Sequence, residues 1–133
     1  MAKSTKTIFH KVDLSEIKGC TVTANRWTDS VNTTYHSVYI SVLVPVDLAN
    51  QLNANVYNRP DQEMIWVDLC ENVFESGYDR GYEQTAYKLF KESVNGNFQD
   101  LENVKVGYIS TACQMLMIPY FENVYDVKRK KDM

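Results

Sequence analysis

Cys20-Thr21-Val22-Thr23-Ala24-Asn25-Arg26-Trp27 and Thr34-Tyr35-His36-Ser37-Val38-Tyr39-Ile40-Ser41-Val42-Leu43-Val44 decide the fold. Both runs are rich in β-branched and aromatic residues, and both alternate. Strict alternation is the mark of a half-buried strand. In the first run Cys20, Val22, Ala24 and Arg26 share one side, and Thr21, Thr23, Asn25 and Trp27 the other. In the second, His36, Val38, Ile40, Val42 and Val44 oppose Tyr35, Ser37, Tyr39, Ser41 and Leu43. The spacer Thr28-Asp29-Ser30-Val31-Asn32-Thr33 is polar turn material, so the two runs are expected to form an antiparallel hairpin.

Working outward, residues 1–7 read as a flexible leader and Ile8 to Val12 as a short strand. Leu14 to Lys18 reads as a turn ending at Gly19. Pro45 stops the long strand, because proline cannot donate to a ladder. Residues 45–62 form an Asn-rich loop or insertion, within which Asp47 to Asn53 suits a helical turn capped by Asp47. Glu63 to Leu69 reads as a strand, although Met64, Val67, Cys70 and Val73-Phe74 also fit helical spacing.

The main helix is announced by Tyr82, Ala86, Leu89, Phe90 and Val94, an apolar stripe at helical period. Asp79 suits its N-cap, with Arg80 opening the helix, and Asn95-Gly96-Asn97 is its expected stop, with Gly96 at positive φ. Val104 to Ile118 is an apolar run expected to be one long strand, bulged at Gly107 or Ser110 and interrupted by Pro119. Phe121 to Val127 adds a last strand. Strands, one main helix and then strands predict an α+β fold: an antiparallel sheet with one amphipathic helix on it, as a single domain over residues 8–127. Residues 128–133 form a basic tail. The long strands over 34–44 and 104–118 leave an edge to be covered, for which a homodimer is the usual solution.

Composition bounds the function classes. The 133 residues are 44% hydrophobic, enough to exclude wholesale disorder. No apolar run approaches the roughly 18 residues a spanning helix needs, and the N-terminus lacks the apolar stretch of a secretory signal. Cys20, Cys70 and Cys113 are odd in number and widely spaced, which suits reduced core thiols and a cytoplasmic protein. The net charge of −3 is unevenly spread: residues 45–103 hold eleven acids and four bases, and the bases gather in Lys128-Arg129-Lys130-Lys131.

Catalytic patterns are missing from the sequence. The histidines are His10 and His36, and no metal-ligand spacing, nucleophile turn or Cys–His pairing appears. Gly77 and Gly81 do not make a phosphate loop. The expectation is a protein that is not an enzyme and holds no metal or cofactor. What stands out is two polar-aromatic clusters, Arg26-Trp27 with Tyr35-His36 across the turn, and Tyr78, Arg80 and Tyr82 before the helix. Rings supply contact area at low entropic cost and the polar groups orient a partner. The ordinary alternative is a cross-strand ring pair at Trp27 and Tyr35, a capping Asp79 and a hydrogen-bonded strand histidine.

The same segments resemble a family of small bacteriophage proteins of no assigned activity. Trp27 followed by Asn32-Thr33-Thr34-Tyr35-His36-Ser37-Val38 is similar to the family's W…NTYHSV segment. Gly77-Tyr78-Asp79-Arg80-Gly81-Tyr82-Glu83-Gln84-Thr85-Ala86-Tyr87-Lys88-Leu89-Phe90 resembles its GYGxxYxQTAxxLL segment, and Asp126 to Met133 its basic closing strand. This chain departs by one extra residue at Asn32-Thr33-Thr34 and by the insertion over residues 45–62. The resemblance implies a phage accessory protein acting in the host cytoplasm. Its expected work is to bind a host defence or regulatory component, either a protein or a nucleotide-like ligand, through Trp27, Tyr35, His36, Tyr78, Arg80 and Tyr82. The alternative is nucleic-acid binding through Lys128, Arg129, Lys130, Lys131 and rings of the sheet.

Overall fold

The computed structural model describes residues 4–28, 31, 33–52, 63–75 and 81–126. The two deciding runs are β3 (Gly19–Thr28) and β4 (Thr34–Pro45), paired antiparallel with Trp27 opposite Tyr35 and Val22 opposite Ile40. Around them stand β1 (Ser4–Ile8), β5 (Met64–Glu75) and β7 (Tyr120–Asp126), in the order β1-β5-β4-β3-β7. A short parallel pair joins β2 (Val12–Asp13) to β6 (Val94–Asn95). The fold is α+β, as expected, but the main sheet is mixed because β7 runs parallel to β3.

One face of this sheet carries the helices. Cys20, Val22, Ile40, Val42 and Val44 point into a core shared with α1 (Val46–Gln51), α2 (Gly81–Ser93), α3 (Gln99–Asn103) and α4 (Ile109–Met115). Helix α2 lies on β4 and β5 and packs against α4. Its stripe is buried as the period requires: Ala86, Leu89 and Phe90 are inaccessible and Tyr82 nearly so. Glu83 in its first turn and Lys91 in its last complement the helix dipole. Ion pairs fasten its outer side, Lys6 to Glu92 at 2.9 Å from β1 and Lys91 to Glu102 at 2.7 Å from α3. No described helix is long and apolar enough to cross a membrane.

Of residues 63–74, all from Met64 onward belong to strand β5, and a bulge explains their helix-like spacing. Ile40 pairs with Cys70 and Ser41 with Asp68, which leaves Leu69 as the extra residue. Leu69 and Cys70 are therefore both buried, and the inward set Val67, Leu69, Cys70, Asn72 and Phe74 loses its period of two. The carbonyl of Leu69 accepts the N–H of Phe9 at 2.9 Å, turning the chain out of β1.

Several expectations are corrected. Residues 4–7, read as leader, form most of edge strand β1, and the strand expected over 8–12 divides into the end of β1 and the start of β2. The run 104–118 is not a strand: it contains a turn, α4 and a second turn. Ile109, Ala112 and Cys113 are buried at i, i+3 and i+4, so packing against α2 wins over a β-branched composition. Left-handed, non-glycine residues close α3 and α4, Lys105 at φ 58° and Met117 at φ 60°. The N–H groups of Val106 and Ile118 reach back to the carbonyls of Leu101 and Cys113, which is the Schellman closure.

The end of α2 also differs. Val94 leaves the helix to enter β6, and no described glycine has positive φ. Gly96 is instead required by close approach, since a Cβ there would lie 2.7 Å from Leu14 Cβ. In α1 the cap position is Pro45 and Asp47 stands in the first turn. The expected capping Asp79 and residues 53–62 lie outside the described residues. The sheet edges are β1 and β7, while β4, which was expected to leave an edge, is central.

Candidate functional site

Strand alternation divides the expected site residues between two faces. Trp27 and Tyr35 stack across the hairpin, with centroids 5.7 Å apart and planes 18° from parallel, on the face away from the helices. His36 is one residue on and turns inward, where it is 1% exposed. Its ring lies between Phe74 at 5.6 Å and Tyr82 at 5.9 Å. His36 and Tyr82 are therefore interior, and they do not share a surface with Trp27 and Tyr35. Tyr78, Arg80, Lys128, Arg129, Lys130 and Lys131 lie outside the described residues.

The inner cluster is a set of fastenings between layers. The hydroxyl of Tyr82 donates to one carboxylate oxygen of Glu122, and that of Tyr120 donates to the other at 3.1 Å. Glu83, 1% exposed, accepts the N–H of Ser110 at 3.3 Å and so supplies the opening turn of α4 with an acceptor from α2. Burial and the Glu122 carboxylate drive the Tyr120 phenol well above its ordinary pKa, so it stays a donor. The thiols are interior as well: a hydrogen bond with Cys113, then burial, raises Cys20, and burial pushes Cys70 up to about 12. Among the described residues no group of His, Cys, Asp or Glu is placed to hold a metal ion.

The other face of the sheet is where chemistry meets solvent. All four described helices contribute to the core on the inner side, and the outer side is lined with rings. Phe9 meets Tyr39 at 6.2 Å, and Trp66 meets Phe121 edge-on at 6.2 Å. Phe9, Trp66, Phe121 and Tyr125 are exposed, Trp66 at 40% and Phe121 at 54%. Gly19 makes the Trp66 contact feasible. A Cβ at that position would lie 3.2 Å from both the Trp66 Cη2 and the Leu43 Cβ, so its absence lets the indole lie across β3 toward β7.

Among the described residues, charge on this face has one sign. Asp68 and Glu71 stand beside Tyr39, and Glu75 is paired with Tyr35. Asp68 accepts hydrogen bonds from Ser41 at 3.2 Å and Tyr39 at 3.5 Å. Burial, then the charges of Asp68 and Glu71, raise the Tyr39 phenol, which keeps it a neutral donor. The described residues of the outward rows carry no base: Thr5 and Thr7 on β1, Thr21, Thr23, Asn25 and Trp27 on β3, and Phe121, Asn123 and Tyr125 on β7. Such a face presents π clouds and carboxylates together, and both attract cations.

Local pattern places Trp27 and Tyr35 on this face, while nothing local marks Phe9, Trp66, Asp68, Phe121 and Tyr125 as sharing it. Tyr39 was legible, since alternation puts it beside Tyr35. Trp66 and Asp68 were hidden by the bulge at Leu69. Comparison with known protein families, curated proteins and solved structures returned no match.

Proposed function

We propose that this protein is a non-catalytic binding protein whose contact surface is the outward face of the sheet. The partner is a protein presenting lysine or arginine side chains. The observation that carries the reading is the coincidence, on a face that no described helix covers, of the exposed rings Trp66, Phe121, Phe9 and Tyr125 and the half-buried Tyr39 with Asp68, Glu71 and Glu75. Exposed rings in such number are a cost to solubility unless something covers them. Aromatic anchors with a charged surround are the usual composition of a protein interface. Phosphate-bearing ligands are disfavoured at the same face, because three carboxylates would oppose them.

The resemblance of the Trp27–Val38 and Gly77–Phe90 segments to phage proteins supports placing this activity in an infected bacterium. In that setting the partner is a host defence or regulatory component in the cytoplasm. The test is phage plating on defended and undefended hosts with the gene intact or carrying Trp66→Ser together with Asp68→Lys. Loss of plating on a defended host alone is the expected result. Equal plating of both phages on every defended strain removes the reading. A nucleic-acid partner predicts retarded DNA or RNA at low salt and loss of that retardation on deleting residues 128–133.

A further inference from the structure

We propose that β7 is a self-pairing edge through which two copies of this chain join their sheets about a two-fold axis at Asn123. This inference is independent of what the outward face binds. Strand β7 closes the sheet on one side, and β3 is its one partner strand among the described residues. Its side chains from Phe121 to Tyr125 are all exposed, including Phe121 at 54%, Val124 at 49% and Tyr125 at 52%. An edge this long with three large apolar side chains lacks the lysines or proline that usually blunt such a strand.

The hydrogen-bond pattern fixes which groups are free. The N–H of Cys20 donates to the carbonyl of Pro119, and Cys20 pairs with Tyr120. In a parallel ladder this directs the N–H and C=O of Phe121, Asn123 and Tyr125 toward β3, and those of Tyr120, Glu122 and Val124 outward. A second β7 arriving antiparallel must match outward groups with outward groups. A two-fold axis at Asn123 does so, with Glu122 opposite the second copy's Val124, and it pairs all seven residues of the strand.

Side chains select that register over its neighbours. With the axis at Asn123, Phe121 of each copy faces Tyr125 of the other on the outward side, an aromatic cross-strand pair made twice. Moving the axis one residue toward the N-terminus sets Glu122 against its own copy. Moving it one residue the other way sets Tyr125 against Asn123 and leaves Phe121 without a partner in the strand. Like charges directly opposite destabilise the first alternative, and the second forfeits both aromatic pairs. The resulting assembly is one continuous sheet whose two ring-lined faces lie side by side, so a single partner can be gripped by both.

Sedimentation equilibrium from micromolar to sub-millimolar protein, with two variants, tests this. Val124→Pro removes an outward N–H while leaving the bonds to β3 intact, and by symmetry it removes two intermolecular hydrogen bonds. It is expected to weaken dimerisation by roughly tenfold or more. Asn123→Cys places two thiols across the axis at a non-hydrogen-bonded pair, with Cα atoms about 4.5 Å apart, within reach of a disulfide. Mild oxidation should give a covalent dimer, since the three native thiols are buried, whereas Tyr125→Cys should remain uncrosslinked. A native chain that stays monomeric throughout overturns the proposal. So does a dimer indifferent to Val124→Pro, or one that crosslinks equally well through position 125.

Discussion

The division of the sheet into a packed and an open face makes one chemical change behave as two. Phe90→Ala and Phe121→Ala delete the same ring. Phe90 is fully buried in the main core and meets Phe98 edge-on at 6.2 Å. Its removal loses the transfer free energy of the ring and leaves a cavity, which together cost about 3–5 kcal/mol. Phe121 is 54% exposed, and water fills the space it vacates, so the loss is the burial of roughly half a ring, about 1 kcal/mol. With a urea m-value of about 2 kcal/mol/M, the midpoint should fall by roughly 1.5–2.5 M for Phe90→Ala and about 0.5 M for Phe121→Ala. Far-UV circular dichroism in dilute solution is the right assay, because Phe121 touches Trp66 and would disturb tryptophan fluorescence directly. Equal shifts, or a larger one for Phe121→Ala, would mean that the outward rings form a second core and that the face is not a surface.

Met117→Gly should stabilise the chain by about 0.5–1 kcal/mol, because Met117 is exposed and held at φ 60° where glycine is unstrained; a lowered melting temperature would contradict the Schellman closure of α4. Gly96→Ala should destabilise by about 1–3 kcal/mol through the 2.7 Å approach to Leu14, read by thermal melting. Glu83→Ala should cost about 1–3 kcal/mol by leaving the Ser110 N–H unsatisfied, with Glu83→Gln milder because its amide oxygen still accepts. The Cys70 thiol ionises at about 12 in the fold against a reference of 9.0. Above pH 9 the unfolded chain releases that proton and the folded chain keeps it, so stability falls by up to about 1.4 kcal/mol per pH unit. Urea midpoints for native protein and Cys70→Ser should diverge in slope above pH 9, and parallel slopes would refute the assignment.

What the sequence disclosed follows from where local pattern and tertiary packing agree. The β3–β4 hairpin was legible down to the Trp27–Tyr35 pair, because both strands alternate without interruption and sit at the middle of the sheet. The stripe of α2 was legible for the same reason, its period surviving from Tyr82 to Phe90. Failure came where a single residue breaks a period. Leu69 bulges out of the ladder and makes β5 resemble a helix. Lys105 and Met117 adopt the left-handed conformation without being glycine, so nothing marks the ends of α3 and α4. Helix α4 has seven residues, too few to show a helical period within the longer apolar run 104–118, and it is held by burial of Ile109, Ala112 and Cys113. At the site, the reading that gathered Trp27, Tyr35, His36 and Tyr82 into one patch gave way to alternation itself. His36 follows Tyr35 and must point to the opposite face.

The most direct test of the proposed contact face is capture from lysate of the proposed bacterial host by the native chain and by the folded Trp66→Ser/Asp68→Lys variant, followed by footprinting of the captured complex. A protein held by the native chain alone and released by salt is expected, with oxidative labelling of Trp66, Phe121 and Tyr39 suppressed in the complex. Identical captures by the two chains, or a complex in which those rings label as freely as before, would contradict it.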